Sequence, residues 1–389
     1  MNTKTNFTKR CLDDLRPRKS RYYIYDVKVP QLGVTVYPSG SKSFHIRTTV
    51  HSQTRRIAIK KGKYPGMKIA QARKAALDLL SEVAGGGDPV EKRRGEKIIE
   101  VTLREILERY LSERRDRQNN PLKPYTKKDY RKAINETFKD YLDKPLTDIT
   151  SDVVLKLYKA RKEGSPSRAS NAARVLSALF NFARVEYRKA DGESYFSSNP
   201  VDAIKERKLR YVAPRRKTHI AKENLRQWFD VVESIDTQDY LKFILLTGIR
   251  GGEADGLQWE HIDFNRESFT LVDPKNRETV ELPLPSSLKV KLYERRQGSG
   301  KVFEVSDEGR WLRKTVIKKL GIEFTRHDLR RTFATVAEGL DISWLSIKRL
   351  MNHKTQESGV TEGYIMVDMD RLKAASKKVE EAILEAAGR

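Results

Sequence analysis

The side chains best suited to chemistry lie in the C-terminal half of the chain, in polar stretches that a plain core would not need. In "LLTGIRGGEADGLQWEHIDF", an apolar helix ends at the TG pair, Arg250 follows, and Glu253 lies one helical turn further on. A carboxylate at that spacing can orient the guanidinium by a charge-assisted hydrogen bond. In "TRHDLRRTFATVAEGL", His327 and Arg330 are three residues apart and share a helix face. Together these groups could bind an anion and transfer a proton.

Two further stretches hold a lysine, a histidine and a tyrosine. Lys275 lies in "LVDPKNRETVELPLP", in the turn of a predicted β-hairpin, and His353 and Tyr364 lie in "LMNHKTQESGVTEGYI". Each signal alone has an ordinary explanation. The arginines could be surface or capping residues, the lysine a solvated one, the histidines structural and the tyrosine a packing residue. Their order and combination carry more weight than any single residue.

Composition points to a polyanionic partner. The chain has 389 residues, with 78 Lys and Arg against 53 Asp and Glu, a formal net charge of +25 and a pI near 9.9. Such an excess of positive charge favours binding to nucleic acid, because each neutralised phosphate releases counterions. A merely solvated basic surface is the alternative. No run is long enough to span a bilayer and no signal peptide is evident, so we expect no membrane partner.

Cofactor chemistry finds little support in the sequence. A lone cysteine, Cys11, excludes an intramolecular disulfide and fits a reducing cytoplasm. Six histidines are scattered without ligand spacing, so we expect no metal site. Glycine-rich nucleotide fingerprints are also absent, and ATP-driven chemistry is not expected. We therefore predict an activity without a cofactor, in the cytoplasm.

Residues 1–88 are predicted to form a small sheet with one helix. "GVTVYPSGSKSFHIRTTV" and "TRRIAIKK" alternate with period two, and "KIAQARKAALDLLSEVA" has helical periodicity with Ile69, Ala72, Ala76, Leu79 and Leu80 on its buried stripe. Alternation points one set of side chains outward, where a basic sheet face can enter the major groove. An ordinary solvated face is the alternative. The outward residues proposed to contact DNA are Ser43, His45, Arg47, Arg56 and Lys60.

The middle of the chain is predicted to be helical. "TLREILERYLSERRD" begins with a threonine suited to capping, and further helices are expected near 126–141, 151–163 and 168–187. The last of these leaves Arg168, Asn171 and Arg174 on its exposed side, where they could contact phosphates and base edges. Exposed arginines on helices are common, so a plain surface role is the alternative. A basic, proline-bearing connector follows as a plausible hinge.

The C-terminal part is predicted to contain helices, a strand region near 267–284, and then helices to the end. Its last segment, "DRLKAASKKVEEAILEAAGR", is amphipathic. The helix could pack on its own domain or dock on a neighbouring protomer. Its apolar stripe consists of Leu372, Ala375, Val379, Ile383 and Ala386.

The polar residues described above follow one another along the chain as Arg, Lys, His-x-x-Arg, His and Tyr. This order resembles the active-site set of the tyrosine recombinase (phage integrase) family. "TGIRGGEADGLQWEHIDF", "HDLRRTFAT" and "NHKTQESGVTEGY" are similar to the family's boxes. Residues 1–88, with "YDVKVPQLGVTVYPSGSKSF", "YPGMKIAQARKAA" and "GGGDP", resemble the arm-type DNA-binding domain of integrases carried by prophages and genomic islands. Ala254 and Asp255 depart from the usual apolar pair, and Asn352 departs from the usual glycine.

The resemblance implies a role for each group. Arg250 and Arg330 would clamp the scissile phosphate, and Glu253 would support Arg250. His327 would accept the proton of the nucleophile Tyr364, and Lys275 would protonate the departing 5′-oxygen.

His353 would hydrogen-bond a phosphate oxygen. The implied product of cleavage is a 3′-phosphotyrosyl intermediate, resolved through a Holliday junction within a homotetramer on double-stranded DNA, at core and arm attachment sites. A DNA-bending host factor and an excisionase are further partners that the resemblance suggests.

The fold class expected is a multidomain α+β protein. We predict an arm-binding domain of sheet plus helix (1–88), a linker (89–100), an all-α core-binding domain (101–205), a second linker (206–214), and a mainly α catalytic domain with a small antiparallel sheet and a tail helix (215–389). A non-catalytic DNA-binding regulator is the principal alternative. A relaxing topoisomerase and a metal-dependent transposase are less favoured, because the former needs no arm module and the latter needs an acidic triad.

Overall fold

The computed structural model describes residues 4–50, 52–116, 118–189, 191–235, 239–274, 278–304, 310–353 and 368–389. The chain divides into two compact units, Met1–Pro214 and Arg215–Arg389. The first unit has two separate hydrophobic cores and the second has one. No helix within the described ranges is long and apolar enough to cross a membrane. The multidomain α+β architecture expected from the sequence is confirmed, and the finer domain boundaries stay a prediction.

A five-stranded sheet forms the N-terminal part of the first unit. Its elements are β1 (Lys4–Thr5), α1 (Lys9–Asp13), β2 (Tyr22–Asp26), β3 (Leu32–Val36), β4 (Lys42–Val50), β5 (Gln53–Tyr64) and α2 (Ile69–Ala84). The strands lie in chain order, with β1 parallel to β2 and the other pairs antiparallel. Helix α2 packs against β3, β4 and β5, over the buried Phe44, Ile46, Ile57 and Ile59. The predicted hairpin, inward residues and helix are present, and β1 and β2 are additional.

Most of the segment predicted as a linker, residues 89–100, forms a helix, α3 (Pro89–Ile99), and its role between the domains stays a prediction. Asp88 caps this helix by accepting hydrogen bonds from the N–H groups of Val90 and Glu91, and Pro89 occupies its first turn. Proline is well tolerated there, since its missing N–H has no intrahelical partner. Ile98 is buried in the core of the helices that follow. The charged segment therefore packs against its neighbours.

Five helices complete the first unit: α4 (Leu103–Glu113), α5 (Pro124–Thr137), α6 (Ser151–Gly164), α7 (Pro166–Glu186) and α8 (Asp202–Glu206). The predicted threonine cap is confirmed: Thr102 accepts a bond from the Glu105 N–H, and the Glu105 carboxylate accepts one from the Thr102 N–H. Helix α7 packs against α4, α5 and α6. Its buried face supplies much of the second core.

The second unit is helical around a small sheet. In order it comprises α9 (Leu225–Glu233), α10 (Tyr240–Thr247), α11 (Gly251–Asp255), β6 (Ile262–Asp263), β7 (Ser268–Leu271), β8 (Val280–Pro283), α12 (Ser286–Glu294), α13 (Arg310–Leu320), α14 (Arg326–Glu338), α15 (Trp344–Leu350) and α16 (Met369–Ala387). The three strands are antiparallel and lie in chain order. Every residue of α10 is buried, and α10 packs against α11, α14 and α16. This central helix fixes the elements that carry the candidate site.

The tail helix α16 packs on its own unit, against α9, α14, α15 and β8. The predicted stripe is buried except at Ala386, which is half-buried, while its neighbour Ala387 is fully buried. Glu380 is 4% exposed and accepts hydrogen bonds from the N–H groups of Ser286 and Ser287, at the start of α12. The packing of the tail on its own domain is therefore present in the structure, and docking on a neighbouring protomer stays a prediction.

Candidate active site

Arg250 lies in a sharp turn between α10 and α11. Helix α10 ends at Thr247 and is capped by Gly248, whose φ of 66° is a left-handed conformation that glycine adopts without strain. A Cβ atom at this position would lie 2.4 Å from the ring of Phe333 on α14, so the turn also needs glycine for close packing. Arg250 then caps α11. The sequence "TGIR" therefore aims Arg250 from a tightly specified turn.

The guanidinium of Arg250 is held on two sides. Its Nη1 atom donates to Oε1 of Glu253 at 2.8 Å and to the main-chain oxygen of Asn352 at 3.1 Å. The other carboxylate oxygen of Glu253 accepts a bond from the Arg250 N–H at 2.9 Å. The Glu253 side chain is only 5% exposed, so these charge-assisted bonds are protected from water. The orienting carboxylate predicted from the spacing is present.

His327 and Arg330 lie in the first turns of α14. The helix starts with a capping box: Thr325 accepts from the Asp328 N–H, and Asp328 accepts from the Thr325 N–H. His327 is exposed. Arg330 is 2% exposed, and its Nη1 atom donates to the main-chain oxygen of Gly248 at 2.8 Å. Its buried Nη2 atom has no hydrogen-bond partner among the described residues.

His353 completes the cluster after α15. Loss of solvent, followed by the charges of Arg330 and Arg250, lowers the pKa of His353 to about 4. Burial and then repulsion from Arg250 lower the pKa of Arg330 to about 10. Partial loss of solvent around its ring also lowers the pKa of His327, and the charges of Arg331 and Arg330 lower it further. The lowered pKa values favour the neutral, proton-accepting form of both imidazoles, while Arg330 stays charged at pH 7.

Asn352, one of the departures from the family pattern, keeps the backbone that glycine would adopt. Its φ is 48°, a left-handed conformation that asparagine tolerates better than most residues. Its side chain is buried and its amide lies 3.4 Å from Oε1 of Glu253. Because its carbonyl also accepts from Arg250, this residue joins the histidine loop to the arginine turn.

Two of the predicted residues, Lys275 and Tyr364, lie outside the described residues. The predicted hairpin around Lys275 is confirmed by its strands, since β7 pairs with β8 and Leu271 faces Val280. The roles proposed for Lys275 and Tyr364 stay predictions.

Sequence reasoning missed a second group of polar residues next to the cluster. Asp255, the other notable departure, accepts hydrogen bonds from the Tyr240 hydroxyl and from Arg326, the first residue of α14. A carboxylate where the family usually has an apolar residue was the available signal. Neither Tyr240 nor Arg326 stood out by type or spacing.

On the outer face of the N-terminal sheet, the predicted DNA contacts have different environments. Arg47, Arg56 and Lys60 are exposed and Ser43 is half-buried. His45 is only 4% exposed, so the expectation that it is open to DNA is wrong. The His45 ring lies over Gly33, and its Nδ1 atom forms a hydrogen bond with the Thr35 hydroxyl. Burial, followed by the charge of Arg56, lowers the pKa of His45 to about 4.

Arg56 is held above an aromatic surface on the same face. Its guanidinium lies 3.9 Å from the centroid of the Tyr23 ring, and its Nε atom donates to the Tyr25 hydroxyl at 3.2 Å. The rings of Tyr23 and Tyr25 both meet His45 edge-on. Because β2 was not predicted from the sequence, these tyrosines could not be foreseen as neighbours of His45.

The three residues predicted on α7 form one polar cluster with Asp129 of α5. Arg168 Nη1 donates to Asp129 at 2.8 Å, and the Asn171 amide donates to the same carboxylate at 3.0 Å. Arg174 is exposed and donates to the side-chain oxygen of Asn171. Asp129 therefore offsets part of the positive charge on this face, which the sequence pattern did not reveal.

Comparisons with known proteins identify two domains in this chain. Residues 7–96 match the arm DNA-binding domain, and residues 219–371 match the phage integrase family. The prophage integrase IntF of Escherichia coli (strain K12) is 25% identical over 95% of this chain and 88% of its own length. The tyrosine recombinase XerA of Pyrococcus furiosus is 25% identical over 72% of this chain and 96% of its own.

The fold also matches a solved structure. A lambda integrase tetramer bound to a Holliday junction superposes with a TM-score of 0.53 at 19% identity, covering 89% of this chain and 98% of that one. At this identity the superposition supports the fold. The two matched domains show that the chain combines an arm DNA-binding domain with a phage integrase (tyrosine recombinase) catalytic domain, as expected of a tyrosine-type site-specific recombinase.

Proposed function

We propose that this recombinase cuts and rejoins DNA at attachment sites with Tyr364 as nucleophile, integrating or excising a mobile element. The observation that carries the proposal is the convergence of Arg250, His327, Arg330 and His353 from separate segments of the second unit. The guanidiniums of Arg250 and Arg330 are only partly offset by the Glu253 carboxylate, so the site is positive. Such a site suits a phosphodiester, whose charge builds further in the transition state.

The chemistry follows from the side chains. Only about one tyrosine in a thousand is ionised at neutral pH, so the nucleophile needs positive potential and a proton acceptor. Arg250 and Arg330 clamp the nonbridging oxygens, and neutral His327 accepts the proton of Tyr364. The tyrosine oxygen bonds to phosphorus and the 5′-oxygen leaves with a proton from Lys275. His353 hydrogen-bonds a phosphate oxygen.

A 5′-hydroxyl of a second duplex then reverses the attack and releases the tyrosine. We propose that this exchange occurs in a DNA-bound homotetramer through a Holliday junction, in the cytoplasm at the nucleoid. The N-terminal sheet binds arm sites, and the helices of 101–205 contact the core site. A DNA-bending host factor and an excisionase assist as further partners.

The decisive experiment traps the covalent intermediate on nicked DNA that carries the attachment core. Wild type should form an adduct on denaturing gels, and Tyr364→Phe should form none. Tyr293→Phe is the matched control, because Tyr293 is an exposed tyrosine of the same unit, and it should behave as wild type. An adduct that survives Tyr364→Phe contradicts the assignment, and strong inhibition by EDTA would favour a metal-dependent reaction instead.

A further inference from the structure

A partly buried group of three polar residues adjoins the arginine and histidine cluster and connects three helices. Arg326 Nη1 donates to both carboxylate oxygens of Asp255, at 2.9 Å and 2.7 Å, and to the Tyr240 hydroxyl at 2.6 Å. The Tyr240 hydroxyl in turn donates to Asp255 at 2.5 Å. The side chains of Arg326 and Asp255 are 22% and 20% exposed, and Tyr240 is fully buried. We call these three residues the clamp.

The clamp lies between the two elements that carry the phosphate-binding groups. Arg326 is the first residue of α14 and directly precedes His327, whereas Asp255 is the last residue of α11, which Arg250 caps. The Arg326 side chain also lies against Gly251, where a Cβ atom would be 2.7 Å from its Nε atom. The clamp therefore contacts both ends of α11 and the start of α14.

Helix-end electrostatics do not account for this pair. A cation at a helix N-terminus and an anion at a helix C-terminus are each on the unfavourable side of the helix dipole. Arg326 and Asp255 occupy those two positions. Their favourable interaction is with each other, across the gap between α11 and α14. A pair placed in this way fixes the separation of the two helices.

We infer that Asp255, Arg326 and Tyr240 are positioning residues that set the distance from Arg250 to His327 and Arg330. The inference rests on the proposed function for its kinetic consequence. Its structural consequence, the spacing of the positive groups, does not depend on the identity of the nucleophile. A displacement of about 1 Å in such a site can cost on the order of 100-fold in rate.

The first measurement is single-turnover cleavage of the nicked substrate by Asp255→Asn, Arg326→Gln and the double variant. Each single variant should cleave about 10- to 100-fold more slowly, with DNA affinity within about twofold of wild type. The double variant should be no slower than the worse single one, since both break one contact. Lys289→Gln, which removes a 2.6 Å ion pair with Glu267 in the same unit, should leave cleavage unchanged.

Gly251→Ala provides a variant in which none of the three clamp residues is itself substituted. Alanine favours the helix over glycine, so folding should not suffer, but its Cβ displaces Arg326. Cleavage should fall in the wild-type background and should not fall further in the Arg326→Gln background. A loss of equal size in both backgrounds would overturn the inference.

The second measurement is an NMR titration of His353, which gives the pKa of its imidazole. If the clamp sets the spacing, either Asp255→Asn or Arg326→Gln separates the cations and raises this pKa. If the two variants acted only through the charge that each removes, their effects on the pKa of His353 would have opposite signs. Asp255→Asn would lower this pKa and Arg326→Gln would raise it.

The inference would be overturned if the two variants shifted the pKa of His353 in opposite directions. It would also be overturned if they cleaved at the wild-type rate, or if they lost DNA affinity in proportion to the loss of rate. An adduct that survives Tyr364→Phe would instead contradict the proposed function and leave the titration as the test of the clamp.

Discussion

Replacing Glu253 by glutamine should slow cleavage by one to two orders of magnitude. The carboxylate accepts one bond from Nη1 of Arg250 and another from the Arg250 N–H, at 2.8 Å and 2.9 Å. Glutamine has one acceptor oxygen, so one of these bonds is lost together with the charge. Hydrogen bonds to charged groups contribute about 1.5–3 kcal/mol, which corresponds to about 10- to 150-fold in rate if the orientation of Arg250 matters only at the transition state.

The assay is the single-turnover rate of adduct formation on nicked DNA, with DNA affinity measured in parallel. Glu260→Gln is the control, since Glu260 is an exposed glutamate of the same unit and its loss adds the same unit of net charge. It should bind DNA as tightly as Glu253→Gln and cleave at the wild-type rate. Equal cleavage rates for Glu253→Gln and wild type would refute the reasoning, as would an equal loss in the control.

Three further predictions concern stability. Because the pKa of His45 is about 4 in the folded protein, against an ordinary value of 6.5 for a solvated histidine, the unfolded state binds the extra proton between these values. The free energy of unfolding of the first unit should therefore fall as the pH drops from 6.5 to 4, by at most about 3 kcal/mol, and His45→Phe should reduce that slope in urea titrations. Asn352→Gly should melt like wild type, whereas Asn352→Val should lose about 1–2 kcal/mol, because a branched residue is strained at positive φ; equal melting of both would contradict this. Glu380→Ala should cost about 0.5–2 kcal/mol, because the buried Glu380 carboxylate caps the Ser286 and Ser287 N–H groups at the start of α12, whereas Glu381→Ala, at an exposed position beside it, should be close to neutral in chemical denaturation.

Periodicity predicted the elements that have a clear apolar face, and it failed where burial depends on distant partners. The stripe of α2 and the alternation of β4 and β5 are visible in the sequence because each repeats over many residues. The sequence of α3 predicts a linker, because its charged composition obscures a short apolar contact at Ile98. Its cap, Asp88 followed by Pro89, was the local signal that could have identified it.

For the candidate site, residue types and their order were more informative than geometry. The spacing of Arg250 and Glu253 predicts their ion pair because both lie within one helical turn. No local pattern reveals that the Asn352 carbonyl holds Arg250, since the two are far apart in the chain. His45 shows the same limit: alternation places it on the outer face, but Tyr23 and Tyr25 of an unpredicted strand bury it.

The positive site is assembled by backbone features that leave little freedom to its side chains. Gly248 sets the turn before Arg250, and Thr325 and Asp328 fix the start of the helix that carries His327. Asn352 holds the loop before His353 in a left-handed conformation. Because each group is placed by its own local constraint, the site needs little reorganisation when charge develops on a phosphate. The lowered pKa of Arg330 reflects the unfavourable side of this arrangement, the burial of one guanidinium near another. An anion bound between the two guanidiniums would relieve that repulsion. The unfavourable electrostatics of the free protein therefore favour binding of the phosphate on which the proposed reaction depends.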